Sequence, residues 1–321
     1  IHDIRALFSG IDLSQVSTSM TINAPATSLF ALYVAYADEC GIPREALRGT
    51  VQNDILKEYI ARGLYIFPPK ESMRLTTDLM AWSKLHTPKW NTISVSGYHM
   101  REAGCTATQE IAFTLSNGLE YLSQAINSGL DIDDVAPRMS FFFGCHNDFF
   151  EEVGKFRAAR QLWHDLVTER FQPNNPKSSM LRFHTQTAGV TLTAQQPLNN
   201  AVRVSYQALS AVLGGTQSLH TNSYDEAIGL PTEESALLAL RTQQILAEET
   251  NVPNSVDPLA GSYLVEELTS KLYQNSRYLI EEIDNMGGAM QCVIAGYQQR
   301  HIHEAAWNQL QSIEDGTTKV I

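Results

Sequence analysis

The 321-residue sequence predicts an α/β fold built on a parallel β-sheet. Short runs rich in β-branched, aromatic and hydroxyl residues alternate with long amphipathic stretches, and about six such pairs follow one another. A polar or glycine-containing loop separates each run from the stretch after it, and no low-complexity linker divides the chain. Strands that alternate with helices indicate βαβ units, whose strands run parallel.

The predicted strands have the short lengths that are usual in globular proteins. They are Val16–Ile22, Gly49–Gln52, Thr92–Ser96, Met139–Phe143, Met180–Thr187 and Gly214–His220. The first helix-like stretch begins with a proline, which the first turn of a helix tolerates. The predicted helices are Pro25–Cys40, Asp54–Gly63, Ser72–Leu85, Glu102–Ser116 with Leu119–Ser128, Phe149–Arg170, Pro197–Leu213 and Thr232–Glu248. From Leu264 onward we expect only helices, interrupted at Met286-Gly287-Gly288 and resumed over Ala289–Ala306.

The periodicity is compatible with two architectures. Six strands suffice for an open doubly wound sheet, whereas a closed (β/α)8 barrel needs two more, which would precede Ile1. In both architectures, ligands bind at the carboxyl ends of the strands. The residues after the predicted strands are polar, so we expect a site at one rim. They are Asn23, Gln52-Asn53-Asp54, Gly97-Tyr98-His99, Gly144-Cys145-His146-Asn147, Gln186-Thr187 and His220-Thr221-Asn222-Ser223.

The composition argues against several classes of protein. Hydrophobic residues make up 43% and charged residues 18%, which is typical of a globular domain. The net charge of −12 argues against nucleic-acid binding. Apolar runs are far shorter than the ~20 residues of a membrane span. The four cysteines form no CxxC pair, so we predict neither a metal site nor disulfides and expect a reducing cytoplasm.

The N-terminus has no basic segment followed by an apolar one, so we expect no signal peptide. The chain begins with Ile1 and not with methionine, which indicates that it is an internal part of a longer chain.

Three side chains are candidates for chemistry. His99 follows a predicted strand after Gly97, which permits a sharp turn, and a neutral imidazole there could donate to a carbonyl oxygen. A structural histidine is an equally open interpretation of His99, and for His220 it is the favoured one. Arg62 is either a solvated helix end or a clamp for a carboxylate or phosphate.

Other motifs carry less information. Gly214–Ser218 is more typical of an ordinary turn than of a phosphate-binding loop. We interpret His301 and His303 as surface residues, because residues two apart do not share a helix face. No HExxH or GxSxG motif is present, which argues against zinc proteases and serine hydrolases.

Several longer segments are more specific. They are Gly49–Glu58, Tyr65–Pro69, Ile93–Gly104, Phe183–Gly189 and Gly215–Ser223, the last followed by Asp225-Glu226-Ala227. In order and spacing they resemble the large subunit of the adenosylcobalamin-dependent acyl-CoA mutases. Within that family, the branch that acts on methylmalonyl-CoA is the most similar. The resemblance extends from about Ile4 to the C-terminus.

The resemblance implies a (β/α)8 barrel with acyl-CoA along its axis and cobalamin across its carboxyl-end face. The six units would be the third to the eighth, so we expect two units before Ile1. Residues 1–262 would form a partial acyl-CoA-binding barrel, and residues 263–321 a helical segment packed on it. The family's cobalamin-binding module, marked by Asp-x-His-x-x-Gly, is absent from this sequence and would be a further domain or a small subunit.

The resemblance also implies the site residues. His99, Tyr98 and Arg62 would be catalytic, with His99 donating a hydrogen bond to the thioester carbonyl. The predicted substrate contacts are Thr50, Gln52, Arg62, His99, Arg138, Ser140, Lys177, Gln217 and Ser218. The predicted contacts to adenosylcobalamin are Ala61, Arg62, Glu102, Gly189, Glu226 and Gly229.

The implied activity is a radical rearrangement that interconverts methylmalonyl-CoA and succinyl-CoA, with the chemistry carried by the cofactor. Arg62 favours a dicarboxylic acyl-CoA, because its guanidinium can pair with the free carboxylate, whereas the isobutyryl and 2-hydroxyisobutyryl branches usually have glutamine there. The alternatives are an isobutyryl-, 2-hydroxyisobutyryl- or ethylmalonyl-CoA mutase, or a non-catalytic barrel fragment that binds CoA or a partner. We expect a homo- or hetero-oligomer.

Overall fold

A parallel β-sheet, divided into a three-stranded and a four-stranded part, forms the centre of the computed structural model, which describes residues 1–321. Its strands are β1 (Ser17–Met20), β2 (Arg48–Val51), β3 (Trp90–Asn91), β4 (Ile93–Ser96), β5 (Met139–Cys145), β6 (Phe183–Thr187) and β7 (Ser218–His220). Every strand pair is parallel. Thr92 separates β3 from β4, and the amide of Ser94 donates to the carbonyl of Gln52 over 2.8 Å, which links β4 to the end of β2.

The strand order distinguishes between the two predicted architectures. Neighbouring strands follow one another in chain order from β1 to β3 and from β4 to β7. A doubly wound sheet reverses its order at a switch point, whereas the wall of a (β/α)8 barrel does not. The predicted α/β class is therefore confirmed, and the strands have the order of part of a barrel wall.

Helices connect the strands and follow the last one. They are α1 (His2–Leu7), α2 (Ala26–Glu39), α3 (Ile55–Lys57), α4 (Pro69–His86), α5 (Tyr98–Glu102), α6 (Ala107–Asn127), α7 (Ile132–Val135), α8 (Phe149–Phe171), α9 (Asn199–Leu213), α10 (Glu233–Glu248), α11 (Tyr263–Asn285), α12 (Ala289–Ile294) and α13 (Tyr297–Glu314). A π-helical turn, Glu58–Arg62, continues α3. The 3₁₀ turns are Arg44–Ala46, Ala136–Arg138, Pro176–Ser179, Gly189–Thr191 and Val252–Asn254.

The predicted helix Glu102–Ser116 is wrong at both ends. Glu102 ends the separate helix α5, and Thr106 begins α6 with a capping box to Gln109. At the other end, α6 continues without a break through Gly118. A Cβ at Gly118 would lie 3.0 Å from the Trp163 ring, so this glycine permits a close helix contact and does not end the helix.

Three further predictions are corrected. The segments 180–182 and 214–217 are not strands. The amide of Gly214 donates to the carbonyl of Ser210 at the end of α9, which confirms the prediction of an ordinary turn at Gly214–Ser218. The predicted helix Ala289–Ala306 is interrupted at Gly296, whose φ is +69°. His301 is half-buried, with its ring centroid 4.3 Å from that of Tyr297, so it is not a surface residue.

Two hydrophobic clusters form the core. The larger has 42 buried residues, and eight of them belong to α11, α12 and α13. The smaller has 13 and centres on Phe30, Tyr33 and Trp90, which lie between α2 and the first strands. The helices after residue 262 thus share the core of the sheet, and the domain boundary there stays a prediction. None of the helices combines the length and the apolar character needed to cross a bilayer.

Candidate active site

The two faces of the sheet differ in polarity. On β5, Phe141 and Phe143 pack against aromatic rings of α8, so the residues between them face the other side. The strand register aligns Phe142 with Ser96 and His184 on that inner face. Barrel interiors are usually filled by Val, Ile and Leu. Here the inner face instead carries polar side chains, which suit a polar ligand: Thr50, Gln52, Ser94, Ser96, Ser140, His184, Gln186, Ser218 and His220.

His99 lies at the carboxyl end of β4, on the short helix α5. A Cβ at Gly97 would lie 2.8 Å from Cγ of Glu110, so only glycine lets the chain turn this close to α6. Nδ1 of His99 lies 2.8 Å from Oγ of Ser96. The His99 ring meets the Phe142 ring edge to face, with centroids 5.8 Å apart.

The His99 imidazole is neutral at neutral pH. Burial and the positive charges of Lys57 and Arg62 lower the pKa of His99 to about 3. A neutral imidazole carries one N–H, so it can stabilise a carbonyl oxygen by hydrogen bonding without transferring a charge.

Gln52 lies at the end of β2 and is oriented by two donors. Its Oε1 accepts from Nδ2 of Asn23 at 2.9 Å and from Nζ of the fully buried Lys57. Since both neighbours donate, the amide oxygen faces them, and the NH₂ group of Gln52 bonds no protein atom. The NH₂ group is therefore available to an acceptor. Oγ1 of Thr50, on the same strand, accepts from Nδ2 of Asn91 at 3.2 Å.

Lys57 and Asp54 form a buried ionic group beside Gln52. Burial lowers the pKa of Lys57, against the opposing effects of Asp54 and Glu58. Burial raises the pKa of Asp54, against the opposing effect of Lys57. Glu58 Oε1 lies 3.2 Å from Nζ of Lys57. The sequence predicted Asp54 at the rim but assigned it no contact, and it did not single out Lys57, although both belong to the segment Gly49–Glu58.

Arg62 ends the π-helical turn, and Gly63 terminates that turn with a φ of +68°. The Arg62 side chain is exposed and makes no hydrogen bond or ion pair within the chain. Its charge nevertheless lowers the pKa of His99, which indicates that the two groups are near each other. Ala61, beside it, is half-buried.

Tyr98 and Glu102 form the second part of the rim. The Tyr98 ring stacks on Phe142 with centroids 4.8 Å apart, and burial raises the pKa of the phenol. Glu102 Oε2 accepts from the amide of Val190 at 2.8 Å, whereas its buried Oε1 has no partner. Burial, with the nearby charge of Glu226, raises the pKa of Glu102 to about 7.

Gly189 lies at the centre of a polar cradle. A Cβ there would lie 3.1 Å from Glu102 Oε2, 3.3 Å from Nδ2 of Asn222 and 3.6 Å from Cγ of Glu226. Asn222 donates to the carbonyl of Thr187 at 2.7 Å; the sequence predicted it at the rim but assigned it no contact. Gly229 is exposed and open, with no atom near a Cβ position.

The other predicted substrate contacts lie at the amino ends of the strands. Arg138 directly precedes β5, and Lys177 lies in the turn before β6; both are exposed. Ser140 is near the start of β5, and its hydroxyl donates to the carbonyl of Ile93 at 3.2 Å. The site residues thus form two groups, one at each end of the strands.

Three residues in or next to β7 have contrasting surroundings. Both ends of the Gln217 amide bond backbone groups, at 2.7 Å to the amide of Phe183 and 3.1 Å to the carbonyl of Gly215. Ser218 Oγ lies 2.8 Å from Nδ1 of His184. His220 is exposed and its ring makes no hydrogen bond, which does not support the structural role predicted for it.

A second buried ionic group lies behind the rim. Nζ of Lys155 donates to Glu110 Oε2 at 2.7 Å, to Glu152 Oε2 at 2.5 Å and to the carbonyl of Gly144 at 2.8 Å. Arg101, from the helix that carries His99, lies 3.4 Å from Glu152. Although burial alone would raise it, Lys155 and Arg101 together hold the pKa of Glu152 at about 2. This group anchors α5 to α6 and α8.

Comparison with known proteins gives one consistent result. The family model described as methylmalonyl-CoA mutase matches residues 1–321. The methylmalonyl-CoA mutase of Cereibacter sphaeroides is 49% identical over the whole chain, which covers 45% of that protein. The probable mitochondrial methylmalonyl-CoA mutase of Caenorhabditis elegans and the human mitochondrial methylmalonyl-CoA mutase are each 47% identical over the whole chain, which covers 43% of each. The chain thus spans less than half the length of these relatives, and it belongs to the methylmalonyl-CoA mutase family.

Proposed function

We propose that the protein containing this chain is an isomerase that interconverts methylmalonyl-CoA and succinyl-CoA with adenosylcobalamin. The observation that carries the proposal is the combination of two hydrogen-bond donors and one positive charge at the carboxyl-end rim. The neutral His99, the free NH₂ group of Gln52 and the exposed Arg62 lie there, above an inner face of polar side chains.

His99 and Gln52 supply the hydrogen-bond donors of the site. In the proposed reaction the thioester carbonyl migrates, and its oxygen gains electron density as it does so. Preoriented donors stabilise such density most in a site that excludes water. Because His99 is neutral, it donates a hydrogen bond and keeps its proton. The thioester oxygen is therefore stabilised without being protonated.

Arg62 is proposed to select the substrate. Methylmalonyl-CoA carries a free carboxylate that isobutyryl-CoA lacks. A guanidinium can hold a carboxylate through two parallel hydrogen bonds. Arg62 has no partner within the chain, so its donors are available for such a pair.

The inner face is proposed to hold the CoA arm. Thr50, Ser140 and Ser218 offer hydroxyl groups along it, and Arg138 and Lys177 add exposed positive charge at the amino ends of the strands. The CoA nucleotide is anionic, so these charges suit it. Gln217 stays a predicted contact, although its amide already bonds the backbone.

The residues of the cradle fit the proposed cofactor. Glu102 leaves a buried carboxyl oxygen without a partner, and a Cβ at Gly189 would fill the cradle. Adenosylcobalamin carries amide groups, which can donate to such an oxygen. Glu102 would hold it together with Ala61, Arg62, Gly189, Glu226 and Gly229. When bound, the cofactor supplies the radical chemistry. The chain orients the substrate and excludes water.

Some predictions remain open to experiment. A cobalamin-binding domain or subunit and a homo- or hetero-oligomer are part of the proposal. The cytoplasmic location also stays a prediction, since the nematode and human relatives carry "mitochondrial" in their names.

The test uses the complete gene product with adenosylcobalamin and two substrates, methylmalonyl-CoA and isobutyryl-CoA. We expect Arg62→Gln to lower kcat/KM for methylmalonyl-CoA by at least about 30-fold, since it removes one partner of a charge pair. Turnover of isobutyryl-CoA should change far less. The matched control is Arg74→Gln, which changes another exposed arginine without side-chain partners.

Three outcomes would overturn parts of the proposal. Equal losses on both substrates would remove Arg62 as the carboxylate clamp. If the wild type turned over isobutyryl-CoA and not methylmalonyl-CoA, isobutyryl-CoA would replace methylmalonyl-CoA as the proposed substrate. Turnover of neither would favour a binding role.

A further inference from the structure

Ser96 has one neighbour for its hydroxyl group. The residue is fully buried, and Oγ lies 2.8 Å from Nδ1 of His99. No other hydrogen bond reaches Oγ. Sequence reasoning named Ser96 only as part of the segment before His99.

The position of the proton follows from counting donors and acceptors. If Nδ1 of His99 carried the hydrogen, it would donate to Ser96, and the serine hydrogen would have no acceptor. A buried donor without an acceptor costs about 1–3 kcal/mol. If Ser96 donates to Nδ1, every hydrogen of the pair is used, and the imidazole hydrogen must be on Nε2. Nε2 of His99 bonds no protein group.

We infer that Ser96 is a positioning residue that fixes the tautomer of His99, so that Nε2–H is the donor presented to the substrate. The catalytic consequence of this tautomer rests on the proposed function. The other tautomer would present a lone pair to the thioester carbonyl oxygen, and two acceptors repel each other.

Buried groups from two other elements hold Ser96 in place. Its backbone N–H donates to Asp54 Oδ2 at 2.7 Å, and Asp54 is itself fully buried. The other oxygen, Oδ1, accepts from the hydroxyl of Tyr121 at 2.7 Å. Tyr121 in turn accepts from the amide of Leu56 at 2.8 Å. Asp54 begins α3 and Tyr121 belongs to α6, so three elements determine where Ser96 points.

The first experiment measures the tautomer directly and needs no substrate. Histidine labelled with ¹⁵N is incorporated into the complete gene product, and the His99 signals are assigned by their loss in His99→Gln. We expect wild-type His99 to show a protonated Nε2 and an unprotonated, hydrogen-bonded Nδ1. In Ser96→Ala the Nδ1 signal should shift and the two tautomers should mix. Ser96→Thr, which keeps the hydroxyl, should restore the wild-type signals.

The matched control is Ser116→Ala. Ser116 is buried on α6, and its Oγ makes no hydrogen bond, so the same atoms are removed without the loss of a hydrogen bond. It should leave the His99 signals unchanged. A protonated Nδ1 in the wild type, or unchanged signals in Ser96→Ala, would overturn the inference whether or not the enzyme turns over methylmalonyl-CoA.

The second experiment asks whether the tautomer matters for the reaction. Ser96→Ala should lower kcat by about 2- to 10-fold with little change in KM, because mixed tautomers leave the Nε2–H donor in only part of the molecules. Ser96→Thr should recover most of that loss. An unchanged kcat in Ser96→Ala despite mixed tautomers would overturn the catalytic part. A wild type inactive on both acyl-CoA substrates would remove the proposed function, while the tautomer measurement would still stand.

Discussion

The molecule contains two fully buried lysines, and they are paired differently. Lys155 lies behind the rim and contacts two carboxylates and a carbonyl. Those carboxylates outweigh burial and raise the pKa of Lys155. Lys57, beside the site, contacts the amide oxygen of Gln52 and one carboxylate, and burial lowers its pKa.

The difference indicates a division of labour. A buried charge with several close counterions is costly to unpair, which makes Lys155 an anchor between helices. The charge of Lys57 is less fully neutralised by counterions. It acts on a neighbouring side chain, since it lowers the pKa of His99. Equal burial of the same residue type thus serves structure in one place and the electrostatics of the site in the other.

Removing Lys155 should have the largest effect on stability. Lys155→Met would leave the buried Glu110 and Glu152 with only Arg101, at 3.8 and 3.4 Å, as a cation, and we expect the free energy of unfolding to fall by about 3–5 kcal/mol. Urea unfolding followed by tryptophan fluorescence measures it. The triple variant Glu110→Gln, Glu152→Gln, Lys155→Met should lose less than the single one. A loss below about 1 kcal/mol for Lys155→Met would contradict its role as an anchor.

Removing Lys57 should cost less stability and change the site more. We expect Lys57→Met to lower the free energy of unfolding by about 1–3 kcal/mol, since Gln52 loses a donor. It should also raise the pKa of His99 above its value of about 3, because one nearby positive charge is gone. Histidine ¹⁵N titration reports this pKa. Lys155→Met is the matched control, and an equal rise in that variant would abolish the contrast between the two lysines.

The smallest expected effect concerns Glu102, which lies at the rim. Its folded pKa of about 7 is above the ordinary 4.5, so the folded state holds more protons than the unfolded state between these values. The contribution of Glu102 to the stability of the fold is therefore present below about pH 4.5 and is lost as the pH rises through about 7. Glu102→Gln should raise Tm relative to wild type more at pH 8 than at pH 5. An identical Tm difference at both values would show that Glu102 ionises normally.

Local patterns predicted the elements better than the connections between them. The parallel strands followed from alternation of β-rich and helical stretches, but the break expected near Gly118 was wrong because Trp163 packs against it. His99 was recognised from a short motif. The bonds that hold it were not, because Asp54 is 42 residues from Ser96 and 67 from Tyr121. Contacts over such separations depend on the packing of whole elements, which no local window contains.

The π-helical turn before Arg62 has a consequence for the divergence of substrate preference. Its closing bond runs from the amide of Gly63 to the carbonyl of Glu58, one residue wider than in an α-helix. Deleting a single residue there would restore α-helical winding and rotate whatever follows by about 100°. The guanidinium would then leave the rim without any change of amino-acid type at position 62. Under the proposed role of Arg62, such a deletion would change the substrate range without replacing this arginine.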